Sequence, residues 1–113
     1  MAGGLTRRVQ FVVVATSGDY GKPRPALIVQ SDLFAALSSF IICPLTTTLR
    51  DEADQIRLTV LPSEKNGLRA PSQIAIYKMT AVPAARIGGV IGEADDALML
   101  RVNRALALFL SIA

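Results

Sequence analysis

Apolar residues come in short runs over most of this chain, and a long helical stripe appears only at its end. Val9 to Ala15 is rich in β-branched residues and predicts a first strand. Ala26 to Gln30 is almost continuously apolar, which predicts a second strand buried on both faces. Phe40 to Leu45 predicts a third. Ile56, Leu58 and Val60 then alternate with Arg57 and Thr59, the period of a half-exposed strand whose polar positions face water. Ser72 to Tyr77 and Met79 to Val82 read as further strand, interrupted by Pro83. Ile87 to Ile91, with Gly88, Gly89 and Gly92, reads as a short strand with close backbone packing or a bulge. From Asp96 to about Leu110 the spacing becomes helical, with Leu98, Val102, Ala105, Leu106 and Phe109 on one face. Glu93, Asp95 and Asp96 suit the positive end of that helix.

The connections are polar. Met1 to Thr6 reads as a flexible tail, Thr16 to Pro23 as a loop loosened by Gly18 and Gly21, and Thr46 to Asp54 as a polar loop. Ser31-Asp32 can cap a short helical turn over Leu33 to Leu37, and Lys65-Asn66-Gly67 is turn chemistry. These elements predict a mainly β, α+β fold over residues 7–113. It is a small, strongly curved antiparallel sheet or SH3-like barrel with the C-terminal helix packed on it.

Composition narrows the chemistry. At 113 residues the chain fits one domain. It has no histidine and one cysteine, which excludes an intrachain disulfide framework and speaks against zinc sites and Cys/His catalysis. No metal or cofactor is expected, and Cys43 reads as a buried core residue. No apolar run approaches the roughly 18–20 residues that cross a bilayer, and no secretion signal opens the chain. A cytoplasmic protein without membrane attachment is the default. The net charge of +3 is compatible with a polyanionic partner but weak evidence for one. Placement says more, since Arg7, Arg8, Lys22, Arg24, Arg50, Arg69 and Lys78 mostly fall in loops or at strand ends.

Two proline-framed stretches hold the candidate chemistry. In Gly21-Lys22-Pro23-Arg24-Pro25-Ala26-Leu27, Arg24 stands between two prolines, so its backbone is held extended and its guanidinium rides on a stiff stem. In Cys43-Pro44-Leu45-Thr46-Thr47-Thr48, three hydroxyls follow the third strand. A rigid arginine beside clustered hydroxyls can hold a phosphate. Taken alone, Arg24 reads as a surface arginine paired with a carboxylate such as Asp19, and the threonines as strand-end caps.

These stretches, with Pro62 to Leu68, Pro71-Ser72-Gln73, Ala94 to Leu98 and Asn103 to Leu106, resemble the MazF/PemK (CcdB/PemK-like) toxins of bacterial toxin–antitoxin systems over roughly residues 8 to 113. The resemblance implies the same barrel-like fold and a growth-arresting endoribonuclease. Its expected action is sequence-selective, metal-independent cleavage of single-stranded RNA, with messenger RNA as the expected target. The 2′-hydroxyl attacks the adjacent phosphate, leaving a 2′,3′-cyclic phosphate and a 5′-hydroxyl. Arg24 and Thr46 match the family's catalytic pair. Tyr20, Lys22, Thr47, Thr48, Arg50, Ser72, Gln73 and Lys78 are the expected RNA contacts, with Tyr20 available to stack a base. The resemblance also implies a homodimer and a cognate antitoxin with a disordered acidic tail. The alternative on the same fold is a CcdB-like protein that poisons DNA gyrase without catalysis. Two positions depart from the family: Arg8-Val9-Gln10 stands where an Arg-Gly-Asp-like sequence is usual, and Tyr77 stands where an acid often precedes the position of Lys78.

Overall fold

The structure is a computed structural model that describes residues 6–15 and 22–112. Its strands are β1 (Gln10–Ala15), β2 (Pro23–Ile28), β3 (Ser39–Thr46), β4 (Arg57–Val60), β5 (Ser72–Ala75), β6 (Thr80–Pro83) and β7 (Ile87–Glu93). One α-helix, α1 (Asp96–Phe109), follows. All pairings are antiparallel, in the order β4-β5-β3-β2-β1-β7, with β6 added to β3. Among the described residues the sheet does not close on itself, so the expected antiparallel sheet with a terminal helix is present in open form. β3 is shared. Its first half pairs with β6 and its second half with β5, and the change of partner falls at Cys43 and Pro44.

Side-chain alternation sorts the core into two layers. Phe11, Leu27, Cys43, Leu45, Leu58, Val60 and Ile74 face α1 and pack against Leu98, Met99, Val102 and Ala105. Val12, Val14, Ala26, Ile28, Phe40, Ile42 and Val82 form a second cluster from the intervening positions. The central strands are therefore buried on both faces, as the continuous apolar run of β2 predicts. Helix α1 starts where its acids sit: Asp95 is the N-cap and accepts from the Leu98 N–H at 2.8 Å. Among the described residues no helix is long and apolar enough to cross a membrane.

Three expectations need correcting. The strand expected over Ser72 to Tyr77 ends at Ala75, and Ile76–Lys78 turns as a 3₁₀ segment. Its partner β4 begins at Arg57, opposite Ala75, and beyond that pair the Ile76 N–H donates to the Ile56 carbonyl at 2.9 Å before the chain turns. The turn expected over Leu33 to Leu37 is shorter, a 3₁₀ segment at Asp32–Phe34 capped by Ser31. Arg57 does not face water. It is only 7% exposed, because the face of β4 turned away from α1 is covered by the loop that follows β3.

The departure at Arg8-Val9-Gln10 is absorbed locally. Val9 takes φ 75°, a left-handed conformation unfavourable for a β-branched residue. Gln10 Oε1 accepts from the Arg7 N–H at 2.8 Å, and Arg8 bonds to the Val29 carbonyl and to Asn103 Oδ1. The segment is thus tied to both β2 and α1.

Candidate active site

The prolines that stiffen Arg24 also end a ladder. β2 and β3 pair at Ile28↔Ile42, Leu27↔Cys43 and Ala26↔Pro44. Pro25 and Pro44 have no N–H to give, so the ladder stops there. Just beyond the end of that ladder, Arg24 on β2 and Thr46 on β3 line the same cavity. Thr46 in turn lies opposite Gln73, and Gln73 opposite Thr59. Thr46, Gln73 and Thr59 therefore form one lateral row on the sheet face turned away from α1.

Over this row lies a cavity of about 420 Å³, lined by Arg24, Pro44, Leu45, Thr46, Thr48, Arg50, Arg57, Ala75, Tyr77 and Lys78. Thr46 Oγ1 accepts from the Thr48 N–H at 3.1 Å. That contact uses the oxygen's lone pair and leaves its hydrogen available to a ligand. Beneath the cavity, Gln73 is buried with both ends of its amide in use. Its Oε1 accepts from Arg50 N at 3.1 Å and Arg57 Nε at 2.9 Å, and its Nε2 donates to the Arg50 carbonyl at 2.9 Å and Thr59 Oγ1 at 3.1 Å. Gln73 thereby clamps the backbone of Arg50 and holds the loop in place.

Of the residues singled out in the sequence, Arg24, Thr46, Thr48, Arg50 and Lys78 share this cavity. Thr47 and Lys22 are exposed next to it in sequence but are not in its lining. Ser72 is buried, and its hydroxyl donates to the Ala70 carbonyl at 3.0 Å. Gln73 is a support below the cavity. Tyr20 lies outside the described residues.

Arg50 is exposed and sits 3.5 Å from Glu52, which is itself on the surface. The Glu52 carboxyl is held below its usual range first by a backbone N–H and then by Arg50. So loose a surface pair holds Arg50 weakly and leaves it open to exchange Glu52 for a phosphate. Lys78 Nζ lies 5.9 Å from the centre of the Tyr77 ring, which keeps that ammonium beside the cavity.

Two lining residues, Arg57 and Tyr77, were not legible as parts of the site from the sequence. Arg57 donates from Nη1 to the Tyr77 hydroxyl at 2.6 Å and from Nη2 to the Thr48 carbonyl at 2.7 Å, besides its contact with Gln73. A period-two strand pattern had assigned it to solvent. The only available signal was a second arginine on a strand near the hydroxyl-rich loop, and that signal is weak.

Comparison with known proteins agrees with this architecture. The profile of the family described as the PemK-like, MazF-like toxin of type II toxin–antitoxin systems matches residues 7–110. The chain is 39% identical over 108 residues to a probable endoribonuclease MazF of Mycolicibacterium smegmatis, covering 95% of this chain and 98% of that protein. Among solved structures it resembles an endoribonuclease in complex with its cognate antitoxin from mycobacterial species. There the TM-score is 0.79 and the identity 23%, with 96% of this chain and 97% of that one covered. It also resembles a MazE–MazF complex from Deinococcus radiodurans, at a TM-score of 0.79 and 18% identity, with 98% of this chain and all of that one (100%) covered. The fold, the paired proline-framed strands and a profile match over nearly the whole length agree: this chain belongs to the PemK-like, MazF-like toxin family of type II toxin–antitoxin systems.

Proposed function

We propose that the chain is the toxin of a type II toxin–antitoxin pair and acts as a cytoplasmic, sequence-selective endoribonuclease on single-stranded RNA without a metal. The observation that carries this reading is that Arg24 and Thr46 line one cavity, over a buried and fully hydrogen-bonded support. The family membership and the name of the M. smegmatis relative support it independently. In the proposed reaction the RNA's own 2′-hydroxyl attacks the neighbouring phosphorus, and the bond to the 5′-oxygen breaks. Charge builds on the non-bridging oxygens. The Arg24 guanidinium and the Thr46 hydroxyl meet that charge from preorganised positions, which requires little rearrangement at the transition state. Lys22, Thr47, Thr48, Arg50 and Lys78 follow the RNA backbone around the cavity, Tyr20 stacks a base, and Ser72 and Gln73 hold the surface beneath.

One solved structure that the chain resembles holds an endoribonuclease with its cognate antitoxin, which supports a cognate antitoxin here; in this reading its tail is acidic and disordered and competes with RNA for the basic surface. A homodimer completes the proposal. Purified protein incubated with mixed-sequence RNA in excess chelator is expected to give discrete fragments ending in 5′-hydroxyl and 2′,3′-cyclic phosphate. RNA left intact across a broad substrate library overturns the nuclease reading. Toxicity that survives Arg24→Ala and is relieved by a gyrase mutation instead favours the CcdB-like alternative.

A further inference from the structure

Arg57 is a buried cation whose three partners are all neutral. Its Nε, Nη1 and Nη2 donate to the Gln73 amide oxygen, the Tyr77 phenol oxygen and the Thr48 carbonyl. Among the described residues no carboxylate forms an ion pair with it, and surface Glu52 feels its field only as the weakest of several influences. A buried charge without a counter-charge is costly unless an anion arrives, and Arg57 borders the same cavity as Arg24 and Thr46. The contact with Tyr77 is also directional. A guanidinium has donors and no acceptor, so at 2.6 Å the phenol oxygen must be accepting. The phenol's own hydrogen is therefore turned away from Arg57. Among the described residues it has no protein acceptor, and the half-buried Tyr77 lines the cavity.

Resting on the nuclease reading above, we propose that Tyr77 is a catalytic residue that protonates the departing 5′-oxygen, and that Arg57 is the positioning residue that aims it. As the P–O5′ bond breaks, the phenol hydrogen passes to the 5′-oxygen and gives the 5′-hydroxyl. The 2′-hydroxyl proton leaves to water as the P–O2′ bond forms. The phenolate left behind faces the Arg57 guanidinium, and a charge-assisted hydrogen bond holds it until water returns a proton. Atoms and charge balance without a metal or a co-reactant. Arg24 and Thr46 act on the phosphoryl oxygens, while Tyr77 and Arg57 act on the leaving group.

The test uses the leaving atom. Cleavage of mixed-sequence RNA first maps a cut site. An oligonucleotide bearing that site is then made with either the natural 5′-oxygen or a 5′-bridging sulfur at the scissile bond. A thiolate departs without needing a proton. Tyr77→Phe is expected to slow the oxygen substrate at least about 10²-fold, the usual contribution of a general acid, chiefly in kcat. It is expected to leave the sulfur substrate at the wild-type rate. Arg57→Lys keeps a charge but loses the three-way fork, and its defect is likewise expected on oxygen and not on sulfur. Tyr77 is partly exposed and Phe keeps its ring, so the Phe variant tests the idea even if Arg57→Lys fails to fold. If wild-type protein cuts while Tyr77→Phe is unimpaired, or is impaired equally on both substrates, this inference falls alone. If wild-type protein cuts neither substrate, the nuclease reading falls with it.

Discussion

Arg24 is exposed and Arg57 is almost fully buried, yet both border one cavity. Their environments predict different variants. Arg24→Ala and Thr46→Ala each remove one preorganised donor, and each is expected to lower the cleavage rate by about 10²–10³-fold with an unchanged urea midpoint. If Thr47→Ala or Thr48→Ala proves the inactivating change while Thr46→Ala is silent, the role assigned to Thr46 is misplaced. Lys22→Ala is expected to weaken RNA binding uniformly across sequences and reduce its salt slope by about one, as loss of a single phosphate contact does. Cys43 is a residue-scale probe of the core. Burial pushes its thiol up to about 12, so the folded state keeps the proton that the unfolded chain begins to lose near 9.0. Its stabilising contribution is thus complete below about pH 9 and is lost as pH rises towards 12, at up to about 1.4 kcal/mol per pH unit. Urea titrations across that range are expected to show a shallower decline in Cys43→Ala than in wild type. Equal slopes would remove this assignment.

Between elements, the tightest constraint is where the turn after β4 meets β7. Asn66 is buried with both ends of its amide engaged: its Oδ1 accepts from Ser63 N and Leu68 N, and its Nδ2 donates to the Leu61 carbonyl. Gly67 takes φ 68°, and a Cβ there would meet the Ile91 carbonyl oxygen at 1.9 Å. A Cβ on Gly92 would meet the Asn66 carbonyl at 2.3 Å. Two stretches of backbone lie against each other with no room for a side chain, so a methyl group must displace backbone. Gly92→Ala is expected to destabilise the protein by about 1–3 kcal/mol or more in urea unfolding. No residue of this junction lines the cavity that holds Arg24 and Thr46, and the residual folded fraction is expected to cleave normally.

At the scale of the molecule, apolar surface remains exposed at Leu33, Phe34 and Leu37 and again at Leu108, Phe109, Leu110 and Ile112. Burying each such side chain is worth about 1.5–3 kcal/mol, enough for a few of them to hold two copies together. Sedimentation at micromolar concentration is expected to show a dimer, and a stable monomer that still cleaves RNA would refute it. The basic cavity on the other hand predicts competition: an acidic antitoxin tail is expected to displace RNA, with an affinity that falls as salt rises.

Period and punctuation alone were enough for most of the strands and for the capped terminal helix. Those depend on local rules: alternation, 3.6-residue spacing, and the fixed φ of proline. Proline stiffens the Arg24 stem and ends the ladder beside it, whereas the roles expected of Arg24 and Thr46 came from the family resemblance. Arg57 and Tyr77 were not legible. Whether a polar position on an alternating strand faces water depends on what crosses it, and here the loop after β3, pinned at Arg50 by Gln73 from a strand 23 residues further on, covers Arg57. Burial of that arginine, and the direction of the phenol hydrogen it dictates, come from long-range contacts that no local pattern encodes. Tertiary structure likewise decided that the sheet stays open, because β3 divides its edge between β5 and β6 and β4 is left without a second partner.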